Sequence, residues 1–144
     1  GALMVVVKSK GIRGFSETGD LLNAVLSKDL LRTIFFPRTP LHDGAVIIKG
    51  NTIEAARCTL PLTATTTHNG ETLGMRHRAG LGISEQADVI CVIVSEETGS
   101  ISIAENGILT KGLAKEVLRQ KLMYASPVIN KSKLKFLFRK FINR

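Results

Sequence analysis

The stretch that most constrains this chain runs from Pro37 to Asn51. Pro37 and Pro40 fix an extended entry and stop any helix before it. Leu41-His42-Asp43-Gly44-Ala45 then leads straight into the apolar run Val46-Ile47-Ile48, and Gly50-Asn51 reads as a hairpin turn. The fold must therefore hold a buried strand over residues 45–49 that returns antiparallel over residues 52–56. A histidine and a carboxylate stand at the mouth of that strand. The small pair Gly44-Ala45 lets another group approach the backbone closely. A strand that only filled a core would need neither feature, so the stretch reads as the edge of an active site.

The remaining pattern is organised around this strand. Residues 3–8 read as a first strand, Gly11 and Gly14 bracket a turn, and residues 18–24 read as loop with a short strand. Ser27-Lys28-Asp29 offers an N-cap for a short helix over residues 29–36, with Leu30, Leu31, Ile34 and Phe35 facing in. Residues 57–62 continue as strand or strand end. The polar, Thr-rich residues 63–72 form a loop long enough to be a lid or pocket wall. A helix is expected over residues 76–83 and a buried strand over 88–95. After a turn at Glu96-Glu97-Thr98-Gly99, residues 100–105 alternate as a half-exposed strand. Asn106-Gly107 turns the chain into residues 108–110, and residues 113–124 form an amphipathic helix using Leu113, Val117, Leu118 and Leu122. Mixed strands and helices with several hairpins predict an α/β fold. Its central sheet is mixed, largely antiparallel, twisted and flanked by helices, and it is not doubly wound and parallel.

The length of 144 residues fits one domain, and 44% hydrophobic residues suffice for a core. No apolar run reaches the roughly 18 residues of a membrane span, and no signal-peptide pattern is present. The abrupt, strand-like start suggests an excised domain with a membrane anchor upstream. Cys58 and Cys91 lie in apolar contexts and read as buried free thiols in a reducing cytoplasm. The net charge of +8 is unevenly spread: six basic residues and no acid lie between Lys131 and Arg144, while the other 130 residues carry 14 basic and 12 acidic side chains. The body is therefore not a basic nucleic-acid domain. With a single tyrosine it also lacks stacking aromatics, and no nucleic acid is expected as a partner.

Three clusters carry chemistry: His42-Asp43-Gly44-Ala45, Arg76-His77-Arg78 and Ser95-Glu96-Glu97-Thr98-Gly99. Each lies at the end of a regular element, where side chains can converge on one pocket. If a helix starts after Gly74, its free N–H groups point where the arginines do and make a triphosphate cradle; otherwise the same residues form a solvated basic turn. Asp43 and Glu97 could share a divalent cation with His42 completing the shell, or His42-Asp43 could be a capped turn. A metal between carboxylates and phosphates would neutralise charge and lower the pKa of an attacking hydroxyl, which suits nucleotidyl transfer. There is no GxxxxGK[ST] loop, Gly80-Leu81-Gly82 lacks the third glycine of a dinucleotide fingerprint, and no Cys/His set has zinc spacing.

Together the clusters resemble the diadenylate cyclase family (the DAC or DisA_N domain), most closely the membrane-anchored CdaA/DacA type. The resemblance spans residues 1–123. It is carried by Gly1-Ala2-Leu3, Thr39 to Ile48, Leu60-Pro61-Leu62, Arg76-His77-Arg78-Ala79, Gly82-Ile83-Ser84-Glu85 and Ser95 to Gly99. It implies a DAC domain fold and condensation of two ATP into cyclic di-AMP with release of two pyrophosphates. It also implies a face-to-face homodimer and a divalent metal, Mn²⁺, Co²⁺ or Mg²⁺. Asp43, Arg76, His77 and Arg78 would then be catalytic. Gly44, Ala45, Leu60, Gly74, Met75, Arg76, His77, Arg78, Ser95 and Glu96 would bind ATP, with Leu60 touching adenine partly through its backbone. His42, Asp43 and Glu97 would hold the metal. Met75 stands where the family pattern has threonine, and activity is expected to survive because the arginines carry the charge. An ATP or cyclic-nucleotide sensor without turnover is the alternative.

These readings divide the chain into a catalytic domain over residues 1–126 and a basic amphipathic tail over residues 127–144. In the tail, Leu134, Leu137, Phe138, Phe141 and Ile142 share one helical face. It is either a terminal helix packing or fraying, or an interfacial helix for anionic membrane or a regulatory protein. The expected location is a cytoplasmic domain of a cell-membrane-anchored protein.

Overall fold

A computed structural model describes residues 1–9 and 12–125, so the tail expected over residues 127–144 lies outside the described residues. A seven-stranded sheet runs through the molecule in the order β2-β4-β3-β1-β7-β8-β9. Its middle is β1 (Ala2–Val7), β3 (Ala45–Lys49) and β7 (Val89–Val94). These sequences, ALMVVV, AVIIK and VICVIV, are rich in β-branched residues and buried almost throughout, as strands covered on both faces must be. β1 pairs parallel with β3, Met4 opposite Val46, and antiparallel with β7, Ala2 opposite Val94. The remaining pairs are antiparallel: β4 (Thr52–Cys58) with β2 (Asp20–Val25) and β3, and β8 (Ile101–Glu105) with β7 and β9 (Ile108–Thr110). The sheet is mixed and largely antiparallel, as expected.

The period-two alternation of β1 builds two cores. Ala2, Met4 and Val6 face one layer with Leu31 and Ile34 of α2 (Lys28–Ile34) and Leu118 and Leu122 of α4 (Lys115–Ala125). Leu3, Val5 and Val7 face the other, with Leu81 and Ile83 of α3 (Met75–Gln86). Each fully buried side chain of this size contributes about 1.5–3 kcal/mol. The molecule is thus a helix–sheet–helix sandwich. α2 starts where its cap predicts, with Ser27 Oγ accepting from Leu30 N at 3.1 Å. Gly82 lets α3 press against the backbone of Pro61, whose carbonyl any side chain there would overlap. The Gly80-Leu81-Gly82 sequence therefore serves packing.

Several expectations are corrected. Gly14 lies in a one-turn helix, α1 (Arg13–Ser16), rather than a turn. β2 is a full edge strand where mainly loop was expected. The expected loop over residues 63–72 contains a small hairpin, β5 (Thr67–His68) and β6 (Glu71–Thr72), joined by Asn69-Gly70. β8 is buried on both faces because β7 and β9 flank it and both layers cover it; Ser102 is fully buried and its Oγ has no partner. Leu113 precedes α4 rather than belonging to it, and Val117 is 41% exposed, so the inward stripe narrows to Leu118 and Leu122. Cys58 and Cys91 are buried free thiols, as expected. Burial pushes the Cys58 thiol up to about 11 and the Cys91 thiol well above its ordinary range.

Candidate active site

The sheet topology brings the three sequence clusters to one edge. Ala2 lies opposite Val94, and the parallel register of β1 with β3 puts Gly44 level with Ala2. Asp43, Gly1 and Ser95 therefore sit in a row where β3 and β1 begin and β7 ends. The N-terminus of α3 comes to the same edge: Arg76 Nη1 lies 2.6 Å from Glu96 Oε1 in the β7–β8 turn.

The Asp43 side is held by backbone packing. Gly44 has φ +79°, and a methyl group there would lie 2.7 Å from the Cys58 carbonyl oxygen. Only glycine both adopts this conformation and allows the approach. Asp43 is thereby set on the rim with its side chain 81% exposed, next to His42. His42 Nδ1 lies 2.7 Å from the Thr39 carbonyl oxygen, which can only accept, so Nδ1 carries the hydrogen. Nε2 is left facing Asp43 Oδ1 at 3.3 Å. Two acceptor atoms so placed are completed by a proton or a cation between them. The tautomer fixed by a backbone carbonyl is also that of a metal-ligating histidine. His42 and Asp43 therefore fit the donor set of a divalent ion. Among the described residues, no three His, Cys, Asp or Glu side chains converge as a complete metal site. Glu96 and Glu97 of the β7–β8 turn both line the adjoining cleft, and Glu96 is near enough to His42 to feel its charge.

The other side is an open cleft of about 970 Å³, lined by Gly74, Met75, Arg76 and His77 of the α3 start and by Ser95, Glu96 and Glu97 of the β7–β8 turn. Gly74 caps α3 without any side-chain hydrogen bond, so the helix presents bare N–H groups and the positive end of its dipole to this cleft. Among the described residues, Arg76 Nε, His77 Nε2 and Arg78 Nε are buried without hydrogen-bond partners, which leaves polar atoms unspent beside the helix start. Burial and the nearby Lys111 cation hold the His77 imidazole below its ordinary pKa, so it stands neutral near pH 7. The Arg76 guanidinium holds the Glu96 carboxyl below the usual carboxylate range. Ser95 Oγ accepts from Thr98 N at 3.3 Å and shapes the turn.

Some expected site residues face elsewhere. Arg78 does not line the cleft; its Nη2 donates to Thr63 O at 3.2 Å and ties down the segment before the β5–β6 hairpin. Ala45 and Leu60 are buried with the α3-side core, so any ligand contact from them as placed runs through backbone. Lys111 and Glu71, which no motif marked, line the cleft as a pair with Nζ 3.6 Å from Oε2.

Fold and site are those of a mixed α/β domain whose sheet edge carries a carboxylate rim beside a cleft built for an anion. The chain matches the family described as DisA bacterial checkpoint controller nucleotide-binding over residues 1–109, and it belongs to that family. It is 51% identical over 122 residues to the cyclic di-AMP synthase CdaA of Bacillus subtilis (strain 168), covering 85% of this chain and 44% of that protein. It is 50% identical over 123 residues to the diadenylate cyclase of Listeria monocytogenes serotype 1/2a (strain 10403S), covering 85% and 45%. A crystal structure of a DacA double mutant from Staphylococcus aureus matches with a TM-score of 0.82 at 43% identity, covering 86% of this chain and 82% of that one. The chain spans a little under half the length of these two curated relatives.

Proposed function

We propose that this chain is the catalytic domain of a diadenylate cyclase, which condenses two ATP into cyclic di-AMP and two pyrophosphates. The observation that carries the reading is the meeting, at one sheet edge, of the exposed Asp43 rim and the uncapped, arginine-flanked start of α3. Family membership and the names of the relatives support it.

In this reading the bare N–H groups of α3 and the Arg76 guanidinium hold the triphosphate of one ATP. His77, neutral, donates or accepts a single hydrogen bond rather than supplying charge. Asp43 accepts a hydrogen bond from the ribose 3′-hydroxyl and orients its oxygen toward the α-phosphorus of a second ATP. The new P–O bond forms as the bond to pyrophosphate breaks, and the hydroxyl proton passes to solvent. His42 and Asp43, with a carboxylate of Glu96 or Glu97, would hold the divalent cation, Mn²⁺, Co²⁺ or Mg²⁺, which would supply charge neutralisation at the phosphates and a lower pKa for the attacking hydroxyl. Arg78 acts at a distance by fixing the Thr63 segment.

The product is two-fold symmetric, and each described domain offers one such edge. Two copies facing each other through an isologous contact would perform the two equivalent transfers. Among the described residues no helix is long and apolar enough to cross a membrane. In this reading the domain is part of a membrane-anchored protein of the CdaA/DacA type. This accords with a 48% identical Bacillus cereus structure titled a hypothetical membrane spanning protein, whose TM-score is 0.72 and which covers 78% of this chain and 55% of that one.

Incubation with ATP and Mn²⁺ tests the reading. Cyclic di-AMP and pyrophosphate should appear in a ratio of one to two, at a rate per chain that rises with protein concentration. ATP binding without product would move the domain to a nucleotide sensor.

A further inference from the structure

Lys111 stands outside every motif of the sequence, in the link after β9, yet it lines the same cleft as the α3 start. Its side chain is 31% exposed, and its amino group lies 3.6 Å from Glu71 Oε2 on the β5–β6 hairpin, a side chain 78% exposed. An ion pair this long and this solvated is worth little, so exchanging its anion is cheap. Burial chiefly, and after it the charge of this amino group, hold the His77 imidazole below its ordinary pKa, so Lys111 lies near the start of α3. The same cleft is lined by Glu96, which occupies Arg76 at 2.6 Å. Each of these two cleft cations is held by an acidic side chain that is itself largely exposed. A triphosphate is a much denser anion than either carboxylate and can displace both.

Resting on the nucleotide reading above, we infer that Lys111 is a positioning residue that exchanges Glu71 for the terminal phosphates of the bound nucleotide. It thereby selects triphosphates over monophosphates and steadies the pyrophosphate leaving group. Arg76 and the helix start hold the inner part of the phosphate chain, and Lys111 holds its far end. Glu71 is the resident anion that the terminal phosphates replace, so the β5–β6 hairpin is released from Lys111 when nucleotide arrives. The chemistry recognised is a linear polyphosphate; the base plays no part in this contact.

Calorimetry with the full chain and Mn²⁺ tests this, using α,β-methylene-ATP, which cannot release pyrophosphate, beside AMP. Lys111→Ala should weaken binding of the triphosphate analogue about tenfold, which is about 1.4 kcal/mol, and leave AMP unchanged. Lys111→Arg should restore most of the loss. Glu71→Gln should strengthen triphosphate binding several-fold. A merely structural ion pair would not give this gain, because losing it would weaken binding or do nothing. Equal losses for both ligands in Lys111→Ala, or unchanged triphosphate affinity, would overturn the inference while leaving the nucleotide reading intact. A parent chain that binds neither ligand would overturn that reading, and the role of Lys111 with it.

Discussion

The two halves of the site are built on opposite principles. The Asp43 rim is fixed by steric packing: Gly44 has a left-handed backbone pressed on Cys58, and the strand behind it is wholly buried from Ala45 to Ile48. The cationic cleft is held by exchangeable pairs, Arg76 with Glu96 and Lys111 with Glu71, whose acidic partners stand mostly in solvent. The difference fits two tasks. A group that orients a hydroxyl gains from rigidity, since small misplacements cost much of the rate. A wall that admits a polyanion and releases pyrophosphate gains from partners that can be swapped.

The sharpest way to break this contrast is a pair of glycines with the same backbone sign. Gly44 (φ +79°) and Gly70 (φ +82°) both lie in the left-handed region, but a methyl group at Gly70 meets nothing. Gly44→Ala should abolish product formation and destabilise the fold by more than the ~1–2 kcal/mol of left-handed backbone alone, because the carbonyl of Cys58 must move. Gly70→Ala should lose only that ~1–2 kcal/mol and keep nucleotide binding. Denaturant titration of both variants checks the pair, and equal effects would erase the distinction between a rigid and a yielding half.

A smaller effect is expected at Arg76. Arg76→Ala removes a charge-assisted contact of ~1.5–3 kcal/mol and should weaken triphosphate binding by one to two orders of magnitude, read by calorimetry. Next comes pH. The native His77 pKa lies below its unfolded value of about 6.5. As pH falls through that value, the unfolded chain takes up a proton that the native chain refuses, so this contribution to stability is full above it and lost below it. Stability measured between pH 7.5 and 5.5 should fall less in His77→Gln than in the parent. The smallest effect belongs to Glu96→Gln, whose exposed pair with Arg76 should change stability by less than ~1 kcal/mol, measured by thermal unfolding.

Much of this architecture is legible in the sequence because it rests on local signals. The Val46-Ile47-Ile48 run and two Asn/Gly turns give the central strands and hairpins, and Ser27 gives the start of α2; the entry expected to be extended at Pro37 and Pro40 is instead a series of turns with Arg38 at φ +68°. The elements that escape reading have weak local signals and strong tertiary ones. β5 and β6 are two residues each, in a Thr-rich segment that reads as loop. Ser102 of β8 suggests a wet face, but neighbouring strands and both layers bury it. At the site, His42-Asp43-Gly44 and the α3 start are contiguous motifs and can be found by eye. Lys111 is a lone lysine that only the fold carries to the cleft, and its signal in the sequence is nil.

The central claim is that the fixed rim and the yielding cleft act on one nucleotide. Chromatography of products after incubation with ATP and Mn²⁺, beside Asp43→Asn, tests it most directly. The account predicts cyclic di-AMP from the parent and none from Asp43→Asn, with the variant folded and still binding ATP through Arg76 and the start of α3. Product formation by Asp43→Asn at the parent's rate would contradict it.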